Sequence, residues 1–176
     1  MASTQASSIR DGILTELAAT RAAFHALLEP LSDADLRQPS HNPGWTNGEI
    51  LFHMTFGFIL ILTLGPMVRL WGRLPRHSSY GFARLLNSMT GFFNWFNALG
   101  PRAGGKVFTR NRIGRLYDWV YRALVRLVNS VHDDEWTRGM YYPDRWDTLF
   151  SDYMTLEQVL HYPTIHFNFH REQIAH

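Results

Sequence analysis

One helical pattern occurs twice in this chain, about 100 residues apart, and the repeat restricts the chain to folds assembled from two copies of a helical unit. In the first copy, Ile9, Ile13, Leu17, Phe24, Leu27 and Leu28 recur at helical spacings over 8–29, while Arg10, Asp11, Glu16 and Arg21 fall on other faces. Ser32-Asp33-Ala34-Asp35-Leu36 follows, then a loop dense in turn formers over 38–44, then Trp45 and a helix containing Glu49-Ile50-Leu51-Phe52-His53. The second copy repeats the order. Ile113, Leu116, Val120, Leu124, Leu127, Val128 and Val131 give the amphipathic helix, followed by His132-Asp133-Asp134-Glu135-Trp136, a loop, Trp146, and Glu157-Gln158-Val159-Leu160-His161 on a last helix over 155–175. The offset grows from 100 to 108 along the unit. No segment alternates apolar and polar residues as a strand does. The expected class is all-α: a four-helix bundle of two repeated helical hairpins, forming a single domain over 1–176.

Local signals place the second helix. Thr46-Asn47-Gly48-Glu49 has the spacing of a capping box and opens a helix over 47–64, with Gly65-Pro66 as its expected end. This helix is apolar almost all round, but its apolar run is shorter than the roughly 20 residues a bilayer span needs, so it reads as a core helix. Between the two units lies an insertion over about 65–112 in which arginines interleave with aromatics. A helix is expected over 79–98, and Gly100-Pro101-Arg102-Ala103-Gly104-Gly105 reads as a loop.

Charge is distributed unevenly. The net charge is +2, yet no acidic residue lies between Glu49 and Asp118, where Arg69, Arg73, Arg76, Arg84, Arg102, Lys106, Arg110, Arg112 and Arg115 fall. Such a stretch suits an anionic partner or a solvated surface. With no cysteine, disulfides, thiolate metal sites and cysteine nucleophiles are excluded. The polar, helical start carries no signal-peptide pattern, and a cytoplasmic setting is expected.

The nine histidines carry the chemistry. His166 and His170 stand four apart on the last helix, so they project side by side, separated by about 40° around the axis. Two imidazoles so placed can grip one metal ion, although the same spacing also serves surface or packing roles. His53 sits in an otherwise apolar helix, where an unpaired imidazole is costly to bury. On a facing helix it would complete a three-nitrogen site with open positions. His25, His41, His77, His132 and His176 have no spacing argument and read as surface or loop residues.

The segments Trp45-Thr46-Asn47-Gly48-Glu49-Ile50-Leu51-Phe52-His53 and His166-Phe167-Asn168-Phe169-His170-Arg171-Glu172-Gln173-Ile174 resemble the two signature segments of the DinB-like, or YfiT-like, family of metal-binding four-helix bundles. In that family the tryptophan-led second helix supplies one histidine and the fourth helix two, in a pattern close to His-x-x-His-His-Arg-x-Gln-Ile. The resemblance implies that His53, His166 and His170 are metal ligands. Two departures stand out. Phe169 replaces the first member of the doubled histidine, and the upstream His161 lies five residues before His166, with Pro163 between them. In a regular helix His161 points about 140° away and is structural, whereas a bulge at the proline would bring it round as a reserve ligand.

The resemblance further implies a divalent cation, zinc or nickel, activating a thiol or a water. Family members include S-transferases that use low-molecular-weight thiols such as mycothiol or bacillithiol, a maleylpyruvate isomerase, and hydrolases. The leading expectation is a thiol S-transferase with a small-molecule substrate. In that reading the insertion's arginines hold an anionic group of the thiol and its aromatics line an apolar pocket. The alternative of another class is a non-catalytic metal-binding protein whose insertion contacts a membrane surface, a protein partner or a second copy as a homodimer. Nucleic acid is disfavoured by the small global charge and the apolar content of the stretch. Tyr141, Tyr142, Asp144, Glu49 and Glu157 are acid–base candidates by chain position alone, with Glu49 also fitting the capping box.

Overall fold

A computed structural model describes residues 2–175. Its elements are α1 (Ala2–Leu28), α2 (Asn47–Trp71), α3 (Arg76–Ser88), α4 (Thr90–Val107), α5 (Arg110–Asn129), β1 (Gly139–Tyr141), β2 (Tyr153–Thr155) and α6 (Leu156–His170), with 3-10 turns at Asp35–Arg37 and Arg171–Gln173. The bundle is formed by α1, α2, α5 and α6. Helix α1 packs on α5 and α6, and α2 packs on the same two. The two units therefore interleave, each helix lying against both helices of the other unit.

The repeat is visible in the core. At an offset of 100, Ile13 matches Ile113, Leu17 Tyr117, Phe24 Leu124, Leu28 Val128 and Leu36 Trp136, and every one is buried. Both acidic turns close alike: Asp35 Oδ2 accepts from the Ser32 N–H (2.8 Å), and Glu135 Oε2 accepts from the His132 N–H (3.0 Å). The Arg21 guanidinium lies 5.3 Å from the ring centre of Tyr121, its own counterpart, which puts the approximate two-fold axis between α1 and α5 there.

The second half of each unit is aligned by its helix cap. Thr46 with Glu49 and Thr155 with Gln158 each form a complete capping box. The offset there is 109, not the 108 suggested by matching Glu49–His53 to Glu157–His161. The counterpart of His53 is therefore Tyr162, and the counterpart of His166 is Gly57.

Two glycine–proline pairs do not end helices. Helix α2 runs through Gly65-Pro66 to Trp71, and α4 runs through Gly100-Pro101 to Val107, where a loop was expected. A glycine before the proline has no Cβ to meet the proline Cδ, which removes much of the bias against helix at that position. The glycines of α4 serve close approach. A Cβ on Gly104 would lie 2.5 Å from the Phe52 ring, and one on Gly105 2.6 Å from Glu49 Cγ, so α4 lies directly on the start of α2.

Other expectations are corrected more modestly. The helix expected over 79–98 is two helices meeting at Met89. Strands β1 and β2 pair antiparallel, Gly139 opposite Thr155, and at three residues each they are too short to show alternation. The last helix ends at His170 and tightens into the Arg171–Gln173 turn. His25 lies at the surface on α1, in keeping with the expectation, with Nε2 2.8 Å from Asp118, and His176 lies outside the described residues. Among the described residues, α2 is the one helix long and apolar enough to cross a membrane, yet more than half of its most apolar window (56%) is buried in the bundle.

Candidate metal centre

Helices α2 and α6 cross where His53 faces His166. Their Nε2 atoms are 3.2 Å apart, and the candidate ligand atoms of His53, His166 and His170 all lie within 4.8 Å of one another. His166 is 1% exposed and His53 8%, while His170 at the rim is half-buried. The absence of a side chain at Gly57 creates this pocket: a Cβ there would sit 2.5 Å from His166 Nδ1 and 2.8 Å from Cε1. Aromatic rings wall the cluster. Tyr162 stacks on His166 with ring centres 5.3 Å apart, Trp45 meets His53 edge-on at 5.3 Å, and Phe169 meets His170 edge-on at 4.9 Å.

Burial keeps the three imidazoles neutral. It pushes His53 down to about 3, helped by the neighbouring His170. It holds His166 well below its usual range, with His53 and His170 adding to the effect. His170 is also lowered by burial, against an opposing hydrogen bond to Gln173. That bond has a second consequence. Gln173 Oε1 lies 2.9 Å from His170 Nδ1 and also accepts from Asn42 Nδ2 at 3.1 Å, so Nδ1 of His170 carries the proton and Nε2 keeps its lone pair. The Nδ1 atoms of His53 and His166 are buried without a partner.

These observations fit a divalent transition-metal cation. Ligand nitrogens bonded at about 2.0–2.1 Å in tetrahedral or octahedral geometry stand about 2.9–3.4 Å apart, and the His53–His166 spacing of 3.2 Å falls in that range. Three neutral imidazoles, two of them facing each other through Nε2 and the third within 4.8 Å of both, form a donor set for a cation.

The sequence profile of the DinB superfamily matches residues 16–174. The chain belongs to the DinB superfamily. No curated protein and no solved structure matches it.

In this DinB-superfamily bundle His161 is not brought round to the cluster. Helix α6 is regular through Pro163, and His161 Nδ1 lies 2.8 Å from Glu16 on α1, so no bulge absorbs the extra residue. Among the acid–base candidates, Glu49 caps α2 and Asp144 is exposed and accepts from Asn87 Nδ2 (2.7 Å). Tyr142 is buried against Phe150 with its hydroxyl unpaired, and Tyr141 packs edge-on between Tyr80 and Tyr153. Glu157 sits in the first turn of α6, about two and a half turns from His166.

The carboxylate beside the cluster is instead Asp147. It accepts from the Tyr162 hydroxyl (2.5 Å), whose ring lies on His166, and its charge acts on His170. No local motif marks Asp147, whereas the 109 register, read from the caps, would have singled out Tyr162, and Gln173 stands within the histidine segment itself.

The insertion's arginines are divided. Arg69 and Arg73 pair with the buried Glu135, which also binds Arg138. Arg69 lies sixteen residues along α2 from His53, about 24 Å away, and Arg73 lies just past the end of that helix. They cannot hold a group bound at the histidines. Arg102 and Lys106, on the stretch of α4 that rests on Glu49 and Phe52, stand at the His53 end.

Proposed function

We propose that His53, His166 and His170 hold one divalent cation, zinc or nickel, and that the chain is a metal-dependent enzyme acting on a low-molecular-weight thiol. The single observation that carries this reading is the convergence of three neutral imidazoles within 4.8 Å, two of them buried and otherwise unpartnered. A cation held by neutral ligands keeps its full charge for whatever fills the remaining positions and lowers the pKa of a bound thiol or water.

The chain's own groups have separate tasks. Gln173 keeps the proton on His170 Nδ1 and so leaves the Nε2 lone pair free for a cation. Gly57 leaves the volume that His166 fills. Asp147, held by Tyr162, is the carboxylate placed to take a proton at the rim. The protein has no cysteine, so the thiol arrives as a cosubstrate of the mycothiol or bacillithiol type. Its anionic group falls to Arg171, which is exposed, adjoins His170 and makes no ion pair among the described residues.

Elemental analysis of protein purified without an immobilised-metal step tests the site, and a thiol-plus-electrophile screen on the metal-loaded protein tests the reaction. One equivalent of metal, lost in His166→Ala, is the expected result. Absence of divalent metal, or unchanged metal content in the variant, overturns the site. Turnover that proceeds equally without thiol overturns the transferase assignment in favour of a hydrolase.

A further inference from the structure

Helix α4 has two apolar sides, and only one of them is covered. Phe93, Pro101, Gly104 and Gly105 face the bundle, with Phe93 stacked on Trp146 at a ring-centre distance of 4.2 Å. On the other side Phe92, Trp95 and Leu99 recur at helical spacing and are 61, 58 and 45% exposed, while Phe96 at the edge of this face also meets Phe56 of α2 at a ring-centre distance of 5.9 Å. Met89 and Leu85 continue the spacing upstream and are also exposed. A monomeric protein seldom leaves so many large apolar side chains together in water without a partner for them.

The charges around this face favour one kind of partner. Arg102 and Lys106 lie exposed on the same helix, and no acidic residue lies on α3 or α4. Neither cation is held by an ion pair among the described residues. A second copy docked on the same face would bring these cations against their own equivalents, with no acid on α4 to separate them. A surface of negative charge over an apolar interior meets both features. We infer that the α4 face docks on an anionic lipid bilayer, with Phe92, Trp95 and Leu99 entering the headgroup boundary and Arg102 and Lys106 on the phosphates. This docking is independent of the metal reading. It leaves α2 in the bundle and makes the protein peripheral rather than spanning.

The test is sedimentation of the whole protein with phosphatidylserine-containing and pure phosphatidylcholine vesicles. Binding to the first that falls at least tenfold in 0.5 M salt, as expected from screening on the order of a few Å, with little binding to the second, supports the inference. The double variant Phe92→Ser/Trp95→Ser changes only exposed positions and is expected to keep its circular dichroism and its metal content while losing at least tenfold in bound fraction. Arg102→Glu/Lys106→Glu is expected to lose binding to the anionic vesicles alone. Equal binding of both vesicle types, unchanged binding by the double variant, or no binding together with a concentration-dependent doubling of mass that the double variant abolishes would each overturn it, the last in favour of a homodimer.

Discussion

Replacing Gly57 by alanine should destroy the proposed metal site without touching any of its three histidines. By intrinsic propensity alone the change favours helix α2 by about 1 kcal/mol. The new Cβ, however, would lie 2.5 Å from Nδ1, 2.8 Å from Cε1 and 3.1 Å from Cγ of His166. Reaching ordinary contact at 3.4 Å requires the ring to retreat by about 0.9 Å. His166 is 1% exposed, with Tyr162 stacked on it and His53 opposite, so no free space receives it. Overpacking of this kind costs about 1–3 kcal/mol. The net loss is then about 0–2 kcal/mol, which lowers Tm of a chain this size by at most about 8 °C. Metal–ligand distances tolerate only about 0.2 Å, so the same displacement is far more damaging to binding than to folding. Chelator competition should show metal affinity at least 100-fold weaker in a protein whose circular dichroism is unchanged. Gly12→Ala is the control: nothing lies within 4 Å of its Cβ, so stability should rise by up to about 1 kcal/mol with affinity unaltered. Affinity within threefold of the parent in Gly57→Ala would refute the reasoning.

Three further outcomes are expected. Gln173→Ala frees His170 to rotate and change tautomer, and should weaken metal binding about 10–100-fold with little loss of stability, read by the same competition. Glu135→Gln removes the charge that Arg69 and Arg138 share around a carboxylate 1% exposed, and should cost about 2–4 kcal/mol in urea unfolding, whether or not metal is present. Metal-free protein should lose stability in two acid windows, because both kinds of group bind fewer protons folded than unfolded. His53, lowered from 6.5 to about 3, contributes fully above 6.5 and loses about 2–3 kcal/mol by pH 4.5 at 1.4 kcal/mol per unit. Glu135, lowered from 4.5 to about 2 by its arginines and the His132 N–H against the cost of burial, contributes above 4.5 and fades as pH falls toward 2. Unfolding curves at pH 7, 4.5 and 3 check this, with His53→Phe expected to make the first window shallower, since the lowered His166 and His170 also contribute to it, and Glu135→Gln expected to flatten the second.

The amphipathic helices could be read from the chain because α1 and α5 each bury one regular stripe, and their offset of 100 survives in the structure residue for residue. The histidine cluster was legible only in part from spacing, since an i, i+4 pair and a lone histidine in an apolar helix also serve packing roles; the likeness of the two segments to the family's signatures singled out His53, His166 and His170. The later register slipped by one because a Glu-x-x-x-His string is a weaker marker than a helix cap, whose backbone hydrogen bonds fix where the helix begins. Gly100 to Gly105 could mean a loop or a close helix contact, and only the position of Phe52 and Glu49 decides between them. The partners of Arg69, Arg73 and His161 are far away in sequence, so no spacing announces them.

Gly57 and His166 are the same position in the two halves of the repeat, and they touch across the crossing of α2 and α6. Two identical halves would carry either two glycines, and no central ligand, or two histidines competing for one volume. An assembly with true two-fold symmetry therefore cannot build this centre. It becomes available only when both units are on one chain and free to differ, so that one surrenders a side chain for the other to use. The lopsided supply of histidines, one from α2 and two from α6, is the mark of that division, and any scheme deriving the bundle from a symmetric dimer must place the histidine centre after the halves diverged.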